Sequence, residues 1–173
     1  MSTILLIDSV HPLLAVALIK GEHVSWKVHH EQKQHDKNIV RMVRELLNEN
    51  SVTFDDIDYY AVVVGPGSWT GCRVGVSAVK GFCVAEPKPV VALKSLDAIG
   101  ELSAVHSNID NYFIKRGGKY SCEKLESVHG YATIDTIGVE AYRKNLVELA
   151  KTTKAISHRE LMPFYITEFQ VKA

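Results

Sequence analysis

The chain has 173 residues, 46% of them apolar and 23% charged. This is the mixture of a globular protein that can build its own core, and it excludes both an intrinsically disordered chain and a small disulfide scaffold. Lys and Arg number 20 and Asp and Glu 20, and the balance persists along the chain: residues 1–100 hold 10 basic and 11 acidic side chains, residues 101–173 hold 10 and 9. Unaided nucleic-acid binding needs concentrated positive charge, which neither half supplies, and a neutral chain does not repel a partner. Cys72, Cys83 and Cys122 lack CxxC spacing and predict reduced thiols in a cytoplasmic protein rather than a disulfide framework or a zinc knuckle. Met1 to Asp8 carries no basic segment, and Asp8 and Pro12 interrupt its apolar run, so it does not read as a signal peptide. The uncharged stretch from Tyr59 to Cys72 is broken by Gly65, Pro66, Gly67 and Gly71 and predicts no membrane span.

In chain order, Ile4–Ile7 and Leu13–Ile19 are short apolar runs, and Lys20-Gly21-Glu22 reads as a turn. His23–His29 alternates through Val24, Trp26 and Val28, so the first three segments predict an antiparallel meander. From His35 to Glu49 the apolar residues Ile39, Val40, Met42, Val43, Leu46 and Leu47 fall at helical spacing, with Asp36 in the first turn and Asn48-Glu49-Asn50 as the stop. Thr53-Phe54-Asp55-Asp56 has capping-box spacing for a single helical turn. Tyr59–Val64 is the continuous β-branched run of a strand covered on both faces. Gly65-Pro66-Gly67-Ser68 is a sharp turn into a helix from Thr70 to Ala85. Val90–Leu93 is a further buried strand, and Ser95 is a candidate N-cap for a short helix through Leu102. Beyond it, Asn108–Lys115 and Lys119–Leu125 flank the hairpin signal Gly117-Gly118. Tyr131–Ile134 reads as a strand, Val139, Tyr142, Leu146 and Leu149 mark a helix from Thr136 to Lys154, and Met162–Ile166 is a short terminal apolar segment. The order β-β-β-α-β-α-β-α predicts an α/β fold, a mixed sheet with helices on its faces. This is the order of the ribonuclease-H-like half-domain of the actin/sugar-kinase fold group. It implies an N-terminal lobe over residues 1–103 and a reduced C-terminal lobe over 104–173.

The most specific string is Gly65-Pro66-Gly67-Ser68-Trp69-Thr70-Gly71-Cys72-Arg73-Val74-Gly75. A strand, a glycine turn and a helix N-terminus in succession can hold an anion, which makes Gly65, Pro66, Gly67, Ser68, Thr70, Gly71 and Arg73 a candidate anion site. The same glycines also suit a tight crossover in which the backbone must take positive φ or be approached closely, and the Lys-Ser/Thr of a P-loop is absent. Gly71, Gly75 and Ala78 leave one stripe of the helix bare, while Val76, Val79, Phe82 and Cys83 supply apolar area elsewhere. Such a helix needs more than one partner surface: the sheet, the helix around Ile39–Leu47, or another protein chain. Ile39, Met42, Val43 and Leu46 together with Gly71, Gly75, Val76, Val79 and Phe82 therefore form a candidate helical interface, with an intramolecular core as the alternative.

These residues resemble the TsaB (YeaZ) family of bacterial tRNA threonylcarbamoyladenosine biosynthesis proteins. The matching pieces are Ile4-Leu5-Leu6-Ile7-Asp8-Ser9, His35, Gly65 to Gly75, Lys80-Gly81 and Ser95-Leu96-Asp97-Ala98. They thin out afterwards to Ile109-Asp110, Gly118-Lys119-Tyr120 and Pro163-Phe164-Tyr165. The resemblance implies two ribonuclease-H-like lobes and a role as non-catalytic partner of TsaD, the subunit that transfers threonylcarbamoyl to adenosine 37 of tRNA. It also implies a TsaE-type ATPase that joins the pair, tRNA met only through the complex, and a homodimer as the other pairing. Both pairings would use the two long helices, residues 36–49 and 70–85. No cofactor is expected on this chain alone, ATP and metal belonging to the partner. TsaD-like proteins carry a His-x-x-x-His pair where this chain has Ser95 and Ile99, which cannot replace two imidazoles on one helix face. The first loop, Asp8-Ser9-Val10-His11-Pro12, has no glycine of a phosphate loop. Pro12 and Trp69 depart from the family's usual residues, and the second lobe is several dozen residues short.

The remaining candidates are weaker. His29, His30 and His35 cross a strand-to-helix break and do not align as metal ligands. Ser9, Ser68 and Thr70 have no nucleophile elbow or His/Asp set. Lys33, Lys37, Arg41 and Arg44 form a basic stripe set against Glu31, Asp36, Glu45 and Glu49. No catalytic and no metal-binding residue is assigned. The alternative function is a nucleotide-binding enzyme of the actin/sugar-kinase group with its own ATP site, motivated by the fold and the glycine turn at 65–71.

Overall fold

A computed structural model of the protein describes residues 2–11, 13–30, 34–107 and 110–166. Pro12, Glu31, Lys33, Asn108 and Ile109, singled out above, lie outside the described residues. The first sheet contains β1 (Thr3–Asp8), β2 (Leu14–Lys20), β3 (His23–His29), β4 (Tyr59–Gly65) and β5 (Val90–Lys94) in the order β3-β2-β1-β4-β5. The meander β1–β2–β3 is antiparallel, and β4 and β5 join it in parallel through α1 (His35–Glu49) and α2 (Trp69–Ala85). Alternation along the strands splits the core into two layers. Leu5 and Ile7 of β1 with Tyr60, Val62 and Val64 of β4 face α1 and α2. Ile4, Leu6, Ala61 and Val63 face the opposite side, where Tyr142, Leu146, Val147 and Ala150 of α5 (Val139–Thr152) cover them. This two-sided burial is why β1 and β4 read as unbroken apolar runs.

The second sheet has the order β6-β7-β8, from β6 (Ser103–His106), β7 (Asn111–Arg116) and β8 (Lys119–Lys124), all antiparallel. Gly117 and Gly118 turn the β7–β8 hairpin at φ 56° and 70°, a two-residue turn with both central residues in the left-handed region. The mixed α/β architecture and helix-flanked sheet predicted from the sequence are present. Several local expectations are corrected. β6 had no strand signal: it is only four residues long, and it starts just after Glu101-Leu102. The segment 131–134 is not a strand, because Ala132 makes a single bridge to Ser103 while Ile134 already opens α4 (Ile134–Ile137). The predicted helix over 136–154 is instead two helices, α4 and α5, broken at Gly138 with φ 83°. α3 (Ser95–Ile99) ends at Gly100, with φ 148°, before Leu102. Ser95 lies inside this helix rather than capping it, its hydroxyl donating to the Pro66 carbonyl. Thr53–Asp56 forms a turn, not a helical turn, because Thr53 donates both its N–H and its hydroxyl to the Asp56 carboxylate instead of accepting. The turn and the residue after it are tied down by the ammonium of the buried Lys88, which donates to the carbonyls of Phe54, Asp55 and Ile57.

α2 sits unusually close to the turn after β1. A Cβ on Gly71 would lie 2.0 Å from the Ser9 carbonyl oxygen, and one on Gly75 would lie 2.5 Å from Ser9 Oγ. Ser9 Oγ donates to the Gly71 carbonyl at 2.8 Å, fixing the contact. Gly81, on the exposed side of the same helix, has nothing within 4 Å of the place a Cβ would take. Gly81→Ala is therefore expected to raise unfolding stability by about 0.5–1 kcal/mol, the entropic penalty of a helical glycine. Gly71→Ala, which must push backbone away from backbone, is expected to lower it by about 1–3 kcal/mol. Urea unfolding of the two variants beside the parent checks both signs.

Candidate functional site

Between the two sheets lies a cleft of about 1050 Å³ whose lining includes Asp8, His11, Trp26, His35, Ser68, Thr70, Tyr112, Asp135, Tyr142 and Arg143. The floor comes from the turn after β1. The buried Asp8 accepts from the Val10 N–H at 3.0 Å, which curls the chain back over its own strand end. His11 Nε2 lies 4.0 Å from Asp8 Oδ2 and 2.7 Å from the Tyr142 hydroxyl of α5, with the two rings edge to face. Burial holds the His11 imidazole below its ordinary pKa of 6.5, against the opposing pull of Asp8 and Asp135. Burial, with the Asp8 carboxylate second, pushes the Tyr142 hydroxyl well above its ordinary value, and the same two causes push the Cys72 thiol up to about 11. A neutral His11 can accept the Tyr142 proton in a hydrogen bond, whereas a charged one must donate. The trio is thus a neutral tyrosine and a neutral imidazole set beside one carboxylate.

The glycine turn divides between the cleft and the interior. Gly67, Ser68, Thr70 and Gly71 line the cleft; Gly65 and Pro66, joined by a cis peptide bond, are buried behind it. Part of the helix start is already engaged by the chain itself. Ser68 Oγ accepts from the Gly71 N–H at 3.1 Å, the Ser68 N–H donates to the Val10 carbonyl at 3.2 Å, and Ser9 lies against Gly71. Ser9 and Ser68 are thereby engaged in holding the turn. Arg73, predicted as part of an anion site, points elsewhere. Its guanidinium lies 4.5 Å from the exposed Trp69 ring, Trp69 stacks on Tyr165 at 4.2 Å, and Arg73 Nε donates to the Tyr165 hydroxyl at 3.0 Å.

The candidate helical interface is corrected in the same way. Ile39, Met42, Val43 and Leu46 are 0–3% exposed and pack with Val76 and Val79 beneath the two helices. Phe82 is half-buried against Phe54 and Tyr60, and Gly71 and Gly75 receive Ser9 rather than another chain. The intramolecular alternative holds because the broad apolar face of α1 spans both the sheet and α2. A fully buried aliphatic side chain there contributes about 1.5–3 kcal/mol, so a charge at Val43 or Val79 removes the fold before any contact outside it. What the two helices expose is a different set: Asp36, Lys37, Val40, Arg41, Arg44, Asn48 and Glu49 on α1, and Trp69, Thr70, Arg73, Ser77, Gly81, Val84 and Ala85 on α2. Of the histidines, His29 Nε2 meets the Asn38 amide at 3.1 Å and His35 Nδ1 lies 3.2 Å from the Ser9 carbonyl, so both serve the turn and helix around them. His11 and Tyr142 were missed in the sequence. They are 131 residues apart, and only packing of α5 under the first sheet joins them. Tyr165 did carry a signal, in Pro163-Phe164-Tyr165: the Phe164 N–H donates to the Val64 carbonyl, and Lys94 lies over the rings of Tyr120 and Phe164 at 4.2 and 4.6 Å.

Two sheets meeting over such a cleft, the first in the order β3-β2-β1-β4-β5, define a ribonuclease-H-like protein of the actin fold group. The family described as "TsaD: tRNA N6-adenosine threonylcarbamoyltransferase" matches residues 28–162, most of the chain, and the chain belongs to that family. Two proteins named "tRNA threonylcarbamoyladenosine biosynthesis protein TsaB" are similar to it. The one from Haemophilus influenzae is 32% identical over 102 residues, 57% of this chain and 42% of that protein. The one from Bacillus subtilis is 32% identical over 98 residues, 56% and 43%. A tRNA N6-adenosine threonylcarbamoyltransferase from Persephonella marina is 30% identical over 119 residues, 65% of this chain and 35% of that protein. The chain therefore spans less than half the length of these curated relatives. The solved structure "YeaZ from Pseudomonas aeruginosa" shares the fold with a TM-score of 0.77 at 20% identity, covering 96% of this chain and 100% of that one. Among the described residues no helix is long and apolar enough to cross a membrane.

The cleft trio makes stability depend on pH. A histidine whose folded pKa lies below 6.5 binds fewer protons than in the unfolded chain over the interval between the two values. Its contribution is complete above pH 6.5, declines as pH falls through 6.5, and levels off below the lowered folded pKa. Each unit of lowering costs about 1.4 kcal/mol on the acid side. Urea unfolding measured across this interval is expected to show that decline in the parent and a shallower one in His11→Gln.

Proposed function

We propose that the chain acts as the non-catalytic TsaB-type subunit of a complex that makes threonylcarbamoyladenosine at position 37 of tRNA. In this reading it binds a TsaD-type catalytic subunit through the exposed faces of α1 and α2 and works in the cytoplasm. A TsaE-type ATPase joins the pair, tRNA is met through the complex, and a homodimer is the competing assembly. The observation that carries the reading is what occupies the place of a metal pair. In a chain similar to named TsaB proteins, Ser95 and Ile99 are both buried, with Ser95 engaged to the Pro66 carbonyl. A serine hydroxyl spent on a carbonyl and an aliphatic side chain do not fit a metal ion. A phosphate loop of its own is disfavoured as well, because the Val10 N–H is taken by Asp8, the Ser68 N–H by Val10, and the Gly71 N–H by Ser68. ATP and metal are accordingly assigned to the partner.

The purified chain mixed with the TsaD-type subunit of the same cell is expected to elute as one complex in size-exclusion chromatography. Alone, it should transfer no threonylcarbamoyl to tRNA. Val40, 46% exposed on α1, is the side chain to alter, in place of the buried positions. Val40→Asp is expected to weaken pairing by about tenfold, or roughly 1.4 kcal/mol, with unchanged thermal unfolding. Full pairing by this variant, or transfer by the chain alone, would count against the reading.

A further inference from the structure

We propose that the outward face of the α1–α2 layer is a basic docking surface and that the protein it fits presents an acidic face. The inference rests on the reading of this chain as a subunit that pairs through those helices. The chain as a whole has zero net charge, so a local excess of one sign is an arrangement of the fold rather than a consequence of composition. α2 contains no acidic residue, and its cations are Arg73 and Lys80. On α1, Lys37, Arg41 and Arg44 are exposed. The acids of α1 are largely spent on one side. Glu45 and Glu49 lie 3.4 and 2.5 Å from Lys27 of β3, and Glu45 also lies 3.8 Å from Arg41. Among the described residues of the two helices, Asp36 is the one acid outside these pairs, set against Lys37, Arg44, Arg73 and Lys80, while the paired Glu49 is itself exposed. Among the described residues Lys37, Arg44 and Lys80 make no ion pair, and the guanidinium of Arg73 is matched by aromatic rings rather than by a carboxylate.

Apolar surface is interleaved with these cations. Val40 is 46% exposed and Val84 83% exposed, and Gly81, three residues before Val84, is exposed with nothing within 4 Å of the place a Cβ would take. Exposed apolar side chains on the same helices as charged ones match the mixed composition of a protein interface. Exposed valines gain nothing against a phosphate backbone, and a handful of cations is thin for RNA, so the occupant that fits is a protein. The charge further selects among proteins. Two copies of this chain meeting through this layer would oppose Lys37, Arg44, Arg73 and Lys80 to themselves, whereas Asp and Glu on a different chain would neutralise them.

The test uses the full chain and the TsaD-type subunit of the same cell. Arg44→Glu combined with Lys80→Glu reverses two charges that make no ion pair or side-chain hydrogen bond among the described residues. Lys144→Glu, on the exposed side of α5, is the control. Calorimetric titration in about 50 mM salt is expected to show binding weakened at least about tenfold by the double reversal and within about twofold of the parent for the control. Raising salt to about 500 mM should weaken the parent's binding and strengthen its self-association in sedimentation equilibrium, since screening removes attraction in one and repulsion in the other. Binding by the parent that is indifferent to both the reversals and salt overturns the acidic-face inference and leaves the pairing intact. Absence of binding at either salt overturns the pairing and this inference with it. Binding of tRNA by the isolated chain that the double reversal abolishes overturns the protein occupant in favour of RNA.

Discussion

The Ser9 carbonyl oxygen occupies the space a side chain on Gly71 would need, and Ser9 Oγ does the same at Gly75. That backbone-to-backbone approach sets the cleft side of the molecule. The turn after β1 can press into the first two turns of α2 only because both positions are glycine. Once there, the turn satisfies the helix start through Val10 and Ser68 and aims Asp8 and His11 into the cleft. The same crowding extends up the crossover. A Cβ on Gly67 would meet Val10 at 2.4 Å, and one on Gly65 would meet the Phe164 carbonyl at 2.8 Å, both at positive φ. Helical glycine costs about 1 kcal/mol of propensity relative to alanine. Here that cost is offset by a contact no other residue permits. The glycine string thus serves close packing, which takes up the Ser68 and Gly71 N–H groups that the same residue types would leave open in a looser turn.

Seen from the sequence, the long periodic elements were legible and their partners were not. α1 runs from His35 to Glu49 as its apolar spacing predicted, and the meander, β4 and β5 stand where the runs placed them. These signals are local: a period of two or of 3.6 residues is written into consecutive side chains. What covers an apolar face is not local. Ile39, Met42, Val43 and Leu46 would show the same spacing against a sheet, a neighbouring helix or a second chain, and the structure spends them on the first two. Boundaries failed where one residue decides them. Gly138 splits one apolar pattern into α4 and α5, and Gly100 ends α3 early. Ser95 is a good capping residue by type, yet its hydroxyl is drawn to the Pro66 carbonyl by tertiary packing.

The second half of the chain carries the least regular signal, but its attachments are specific. α5 completes the back of the first sheet and delivers Tyr142 to His11. The Lys115 ammonium lies 3.1 Å from Asp97 and 3.0 Å from Glu101, and the Tyr120 hydroxyl donates to Asp97 at 2.7 Å, binding β7 and β8 to α3. Desolvation, with the Asp97 hydrogen bond second, keeps the Tyr120 hydroxyl strongly protonated, so it remains a donor at any physiological pH. Pairs this distant in sequence have no periodicity to reveal them. The one exception is the terminal Pro163-Phe164-Tyr165, whose aromatic rings cover Lys94 and Trp69.

Because the sheet consumes the apolar faces of both long helices, the surface left for a partner is defined mainly by charge. Burying Val43 and Val79 inside the fold means that association cannot draw on the largest hydrophobic area in the sequence. It must rely on isolated anchors such as Val40 and Val84, set among uncompensated lysine and arginine side chains. Apolar area of that size gives modest affinity and little discrimination, whereas like charges facing each other are penalised directly. A neutral chain that leaves Lys37, Arg44, Arg73 and Lys80 of one helical layer without a carboxylate partner among the described residues has therefore placed its discrimination between a second copy and a different chain in electrostatics. Lys27 contributes to that arrangement from β3, since it pairs with Glu45 and Glu49, carboxylates that would otherwise offset the cations of α1.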